Sequence, residues 1–301
     1  MQTTLYKINP FWLLVFLASI LFASCEKSIT FKLDEADKQV VVEAIIENGQ
    51  PPVVTLSKSY NYFSQITKEL LLNSFIHGAQ IVVSDGTRSQ TLKEYSFKIA
   101  GNDIYYYTID SSHIAAGFVG ETNKSYSLQI QSGSNTYRSA TTIPPLAKKV
   151  DSLWWIKSIN NPDTNKVILM ARAADPPGYG NYIRYYTKTN RGPFLPGLNS
   201  VFDDQVIDGT TYSIQVEKGV DRNEKIDLEN YSFFNIGDTV VVKLSNIDKA
   251  TYDFWRTMEY SYGSIGNPFS SPTKVLGNIE GGALGYFGGY ASQFKSVILK
   301  R

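Results

Sequence analysis

From Phe31 onward the chain alternates apolar and polar residues in short bursts, each closed by a turn signal, and this two-residue period restricts it to half-buried strands. Gln39–Glu47 reads as a strand, Asn48-Gly49 as a hairpin signal before Pro51-Pro52, and Val53–Ser57 as the returning strand. Ala79–Ser84, the Asp85-Gly86 turn, Gln90–Tyr95, Asp103–Ile109, Lys124–Ile130 and Asn135–Thr142 continue the pattern. The 20 tyrosines, 16 phenylalanines and 4 tryptophans fit the same reading, because aromatic side chains pair well across strands. About seven strands over roughly 110 residues have the count and spacing of an immunoglobulin-like β-sandwich. An α/β enzyme core would need amphipathic helices between strands, and this stretch has none.

A second strand-rich half begins after Ile143-Pro144-Pro145, where two prolines stiffen the chain. Asp151–Ile156, Lys166–Ala173, Asn181–Thr187, Thr211–Glu217 and Thr239–Leu244 are its expected strands. One segment departs from the pattern. Thr251, Trp255, Met258 and Tyr262 recur at helical spacing, with Asp248 as the N-cap and Gly263 and Gly266 as the stop. The expectation is an all-β protein in two domains: an immunoglobulin-like β-sandwich over 39–143, and a second β-sandwich or partly closed β-barrel over 146–301. One short helix near 250–262, buried through Trp255 and Met258, belongs to the second.

The leading segment is of another kind. Lys7 is its one charge, and Pro10 precedes the apolar run Phe11–Ala23. As a helix this run rises about 20 Å, short of a hydrocarbon core of roughly 30 Å, so residues 1–24 read as a cleaved export signal. The run ends in Leu21-Phe22-Ala23-Ser24-Cys25, which resembles the lipobox of bacterial lipoproteins, with Phe22 bulkier than the usual aliphatic residue. Cys25, the only cysteine, is then the lipidation site, palmitate or a similar chain being the modification, and 25–38 a tether. Two or three acyl chains anchor durably where one does not. Removing residues 1–24 takes Lys7 and no acid from 29 basic and 28 acidic side chains, leaving equal numbers. The lipid, not surface charge, would hold such a chain to a membrane.

Composition narrows the chemistry. A single cysteine rules out an intrachain disulfide and cysteine metal clusters, two histidines rule out a multi-histidine centre, and the charge balance removes the field that nonspecific nucleic-acid binding needs. Asp110, Ser111 or Ser112 and His113 could be assembled into a triad only by adjacent loop residues, without a nucleophile elbow, and read as a turn. His77 stands just ahead of a strand. Asp203, Asp204 and Asp208 offer hard oxygen ligands and are the candidates for a calcium site; solvated turn carboxylates are the simpler account. The alternation from Asp221 to Glu229 fails the calcium-loop template, with Ile226 where glycine must turn and Lys225 at a ligand position. Gly277–Gly289 lacks the lysine and hydroxyl of a phosphate loop and reads as close strand approach. No catalytic residue, no resident metal and no cofactor are assigned.

Aromatic loops offer a contact surface. Tyr60, Tyr62 and Phe63 form one such cluster, Tyr179 leads another, and Phe194 sits on a loop stiffened by prolines and glycines. Asp151-Ser152-Leu153 and Asp238-Thr239-Val240 resemble an aspartate–hydroxyl–aliphatic O-glycosylation sequon, which makes Ser152 and Thr239 possible acceptors.

Several segments together carry a family resemblance. They are Cys25-Glu26, Val40–Gly49, Val54–Ser57, Asp175-Pro-Pro-Gly-Tyr-Gly-Asn-Tyr182, Phe202-Asp203-Asp204 with Asp208-Gly209, Gly266–Ser270 and Gly277–Gly288. With these the chain resembles the lipoproteins of Bacteroidota designated domain of unknown function 4249, departing mildly at Glu280 and Ala283. Such proteins tend to be encoded beside TonB-dependent outer-membrane transporters. The resemblance implies an outer-membrane, lipid-anchored accessory or binding subunit of TonB-dependent import, with an outer-membrane barrel as partner. It leaves open which leaflet holds the anchor, and it brings no activity with it. A surface hydrolase and a structural component of a cell-surface assembly are the alternatives.

Overall fold

The computed structural model describes residues 38–60, 67–99, 101–110, 112, 117–158, 161–264 and 273–300, of which Lys38 onward belong to one compact unit. The first half supplies β1 (Val40–Glu47), β2 (Val53–Lys58), a one-turn helix α1 (Lys68–Leu72), β3 (Gln80–Ser84), β4 (Ser89–Ile99), β5 (Asn102–Thr108), β6 (Lys124–Ser132) and β7 (Asn135–Ile143). After Pro144 and Pro145 come β8 (Lys149–Lys157), β9 (Lys166–Ala174), β10 (Tyr182–Thr189), β11 (Leu195–Phe202), β12 (Thr211–Val216), β13 (Phe234–Asn235), β14 (Thr239–Ile247), helix α2 (Lys249–Ser264) and β15 (Leu284–Ile298). The protein is all-β, of β-sandwich type, with one substantial helix and no closed barrel among the described residues.

Eleven strands form one sheet in the order β11-β10-β14-β15-β1-β2-β5-β4-β3-β6-β7, and β12-β9-β13 with β8 on β9 form the other. At one end the large sheet curls until β7 packs against β15 and encloses its own core. Val42, Ala44 and Ile46 of β1, Ile81 and Val83 of β3, Tyr126, Leu128 and Ile130 of β6, and Phe287 and Ala291 of β15 fill it. Each set obeys the two-residue period. At the other end β10 and β14 face the small sheet across Leu169, Ala171, Ile183, Val240, Val242, Leu244 and Phe234.

The two halves share hydrogen bonds. β1 and β15 run parallel from Val41 opposite Leu284 to Glu47 opposite Tyr290. Gly285 makes this approach possible: its φ is +102°, and a Cβ there would stand 1.9 Å from the Val42 carbonyl oxygen. The tail glycines thus mark backbone contact between strands.

Helix α2 starts where expected. Asp248 Oδ1 accepts the Thr251 N–H at 2.9 Å, the N-cap bond, while Oδ2 accepts the Thr141 hydroxyl at 2.7 Å and the Thr142 N–H at 3.1 Å. One carboxylate therefore caps the helix and ties it to β7. Burial differs from the periodicity. Thr251, Tyr252 and Phe254 are the buried residues, with Trp255 and Met258 only partly covered, because the helix lies on Tyr286 and Tyr290 and stacks Phe254 on Tyr286. Gly263 falls inside the last turn, and Gly266 is outside the described residues. Leu195–Phe202, where the prolines read as a loop, is an edge strand, a position where Pro196 need cost no ladder bond. No helix among the described residues is long and apolar enough to cross a membrane.

Candidate functional site

The end of β9, the lead-in to β8 and the loop between β11 and β12 bring charged side chains together. Asp175, Asp204 and Asp208 each offer a carboxylate oxygen, and these atoms lie within 4.8 Å of one another. Asp175 is 5% exposed and Asp204 equally sequestered, whereas Asp208 is half-buried. Lys148, 1% exposed, points its ammonium at Asp175 Oδ1 from 3.2 Å. Its backbone is clamped from two strands: its N–H donates to Asn246 Oδ1 at 2.8 Å, and its carbonyl accepts from Asn246 Nδ2 at 3.0 Å and Gln293 Nε2 at 2.7 Å.

The loop 175–181 wraps the carboxylates with N–H groups. Asp208 Oδ1 accepts from Gly178 at 2.7 Å, and Asp204 accepts from Gly180 at 3.2 Å and from Asn181 N–H and Nδ2 at 2.8 and 3.2 Å. Gly178 and Gly180 have φ values of +111° and +107°, backbone that only glycine adopts without strain, so the Gly-x-Gly spacing is what aims these donors. Burial works against ionising Asp204, but the Asn181 and Gly180 N–H groups outweigh it and hold the carboxyl below its ordinary range. Asp203, the third acid of the sequence-based set, turns away. Its Oδ2 accepts the Tyr252 hydroxyl at 3.1 Å, and that phenol is pushed up to about 12 by burial and then by the carboxylate. Asp175 takes its place. Nothing in the spacing of the acids signals that exchange, because Asp175 and Asp204 meet only through the β9 and β11 ends.

A depression of about 330 Å³ opens beside Asp204, lined by Tyr179, Gly180, Tyr182, Asp203, Asp204 and Gln205. Tyr179 is 76% exposed at its rim. On the outer face of the large sheet a second feature forms. Phe194, 37% exposed, meets Phe294, 57% exposed, with ring centroids 5.7 Å apart. Lys188 lies 5.7 Å from the Phe194 ring and Lys243 5.8 Å from the Phe294 ring, and Ile298 is exposed further along β15. Register explains the grouping: Lys243 pairs with Phe294 and Tyr186 with Lys243, so the three share one face of the sheet, where Lys243 also pairs with Glu47 at 2.7 Å and Phe294 is the exposed member.

The family described as a domain of unknown function, DUF4249, matches residues 26–296. The chain belongs to the DUF4249 family. No curated protein matches it. The DUF4249 match begins directly after Cys25 and includes the acidic loop, the Asp175–Tyr182 segment and the glycine-rich tail.

The remaining sequence candidates of this DUF4249 chain are placed as follows. Cys25, residues 1–24, Tyr62, Phe63, Ser111 and His113 lie outside the described residues. Tyr60 donates its hydroxyl to the Leu70 carbonyl at 2.7 Å and serves to hold α1. Asp110 Oδ1 accepts the Ser112 N–H at 3.0 Å, an Asx turn. Asp221 and Asp227 accept the N–H groups of Asn223 and Glu229 at 2.9 and 3.1 Å, again turn contacts. Ser152 and Thr239 are both exposed on strands. His77 Nδ1 meets Glu94 Oε1 at 2.5 Å with its ring edge on Tyr105, and no serine or threonine hydroxyl bonds it among the described residues.

Proposed function

We propose that this protein is a lipid-anchored, noncatalytic binding subunit at the outer membrane that assists a TonB-dependent importer. The acyl chains at Cys25 would keep it beside the bilayer, and the Phe194–Phe294 face would contact the barrel. The observation that carries the reading is that outward pair of aromatic rings rimmed by Lys188 and Lys243 on a hydrogen-bonded sheet. Rigid aromatic anchors present large apolar area at low entropic cost, and they are what interface hot spots are made of. Tethering raises the effective concentration of the second contact, so a modest surface suffices. The hydrolase alternative needs a nucleophile in reach of a base, and His77 meets Glu94 and Tyr105 instead.

Native isolation from membranes in mild detergent, followed by mass spectrometry, tests this. Recovery with a large outer-membrane barrel is expected. The double substitution Phe194→Ser and Phe294→Ser should weaken that association by at least about 30-fold, the size of a lost hot spot, while thermal unfolding stays unchanged. Recovery of the wild-type chain alone, or as an unacylated species in the soluble fraction, defeats the reading. Incorporation of labelled palmitate that disappears in Cys25→Ala checks the anchor separately.

A further inference from the structure

The acidic cluster has a feature that turn carboxylates do not share. Apart from the Lys148 ammonium, which faces Oδ1 as an ion pair, the Asp175 carboxylate has no donor among the described residues, and its Oδ2 has none at all, although the residue is 95% removed from solvent. A buried carboxylate ordinarily finds donors, and a free one normally takes them from the N–H groups that follow it in sequence. Here the following residues are Pro176 and Pro177, which have no N–H to give. Asp204 and Asp208, by contrast, have donors in the 178–181 loop.

Charge tells the same story. Three carboxylates gather with a single ammonium beside them, that of Lys148, which reaches Asp175 Oδ1 and the Asp203 carbonyl. Within this group two negative charges are left uncompensated in a largely buried space, an arrangement that burial penalises heavily unless a cation joins it. Three oxygen atoms no more than 4.8 Å apart leave a central ion at most about 2.8 Å from each, so a contraction of a few tenths of an ångström brings all three to calcium–oxygen distances of about 2.3–2.6 Å. Each carboxylate oxygen also keeps a second lone pair after accepting one N–H, so the loop contacts do not exhaust Asp204 or Asp208.

We propose that Asp175, Asp204 and Asp208 form a calcium site. The ion shares the Asp175 carboxylate with the Lys148 ammonium and completes its shell with water from the depression that Asp204 lines together with Tyr179 and Tyr182. Its role is to lock the 175–181 loop onto the 203–210 loop and so to set the position of exposed Tyr179. The donor set is all hard oxygen, as calcium requires, and contains no nitrogen or sulfur for zinc or copper.

The test uses the full acylated chain in detergent, stripped with a chelator and titrated with calcium chloride by calorimetry in excess magnesium. One saturable site per chain is expected, together with a rise in the thermal midpoint. Asp208→Asn, at the half-buried member, should weaken binding at least about tenfold, and Asp203→Asn, whose carboxylate faces Tyr252, should leave it within about twofold. If Asp208→Asn does not fold, hydrogen exchange on the wild type decides: calcium must slow exchange within 175–181 and 203–210. Absence of saturable binding up to about 5 mM, beyond the range of weak extracellular calcium modules, overturns the proposal. So does calcium-dependent protection confined to other segments, or equal affinity in wild type and Asp208→Asn.

Discussion

Individual side chains hold the loops of this protein through carboxylates. Asp85 is the clearest: its Oδ1 accepts the Thr87 and Arg88 N–H groups at 3.0 and 2.7 Å, and its Oδ2 faces Arg88 Nη2 at 2.8 Å and Lys124 Nζ at 3.0 Å. The Arg88 backbone N–H leads, and with Lys124 and the guanidinium it outweighs burial and holds this carboxyl well below its ordinary value. A depressed folded value means that the stabilisation is complete above the ordinary carboxylate range near pH 4 and is lost as pH falls through the lowered value. Wild type should therefore exceed Asp85→Asn in urea midpoint at pH 7, with the difference shrinking toward pH 2. Lys148 presents the opposite case, a buried cation. Lys148→Met strips Asp175 of its ion pair and should cost about 3–5 kcal/mol in calcium-free denaturant unfolding, with added calcium restoring part of the loss. The turn role of Asp85-Gly86 was readable from two adjacent letters. The pairing of Lys148 with Asp175 was not, because it depends on Asn246 and Gln293 fixing where the lysine backbone sits.

Strands and the long helix were legible to the degree that their periodicity meets one solvent boundary. Val42, Ala44 and Ile46, or Tyr126, Leu128 and Ile130, alternate because one face is core and the other water. β15 was harder to read. Buried from Tyr286 to Ser292 on both faces, it shows glycines and aromatics in place of alternation. Gly285→Ala puts a side chain on the Val42 carbonyl at a positive φ, and should destabilise by at least about 2 kcal/mol and loosen the β1–β15 ladder in hydrogen exchange. Helix α1 leaves no periodic trace in the sequence because a single turn has no period; Thr67 accepting the Leu70 N–H at 3.2 Å is its whole signature. For α2, the cap was visible and the buried face only in part: Thr251 is buried and Trp255 and Met258 pack on the cluster, but Tyr252 and Phe254 go deeper. Asp248→Ala removes the N-cap and leaves the Thr141 hydroxyl and Thr142 N–H without their acceptor, for an expected loss of about 2–3 kcal/mol by chemical unfolding.

Across the molecule, the parallel β1–β15 ladder joins chain segments some 240 residues apart, as the Asn48–Ser292 contact illustrates. Phe287 and Ala291 lie in the core that β1 to β7 surround, so the first half's interior is finished by the last strand. The chain crosses from one sheet to the other at Pro144 and Pro145, but hydrogen bonds and core residues cross that point as well. A fragment ending at Pro145 should accordingly lack cooperative unfolding, and the intact chain should melt in a single transition. Calorimetry on both distinguishes this from two independent domains. Contacts so far apart in sequence also predict folding in the slow range for small β proteins.

By itself the sequence determined the local character of each stretch: strand period, turn residues, the helix cap and the glycines where backbones touch. These depend on neighbours a few residues away, and solvent imposes the same alternation wherever a strand ends up. Tertiary structure decided the partners. That β15 lies beside β1, that Asp175 rather than Asp203 joins Asp204 and Asp208, and that Phe194 meets Phe294 all follow from sheet order, which brings distant segments within ångströms and which no local pattern encodes.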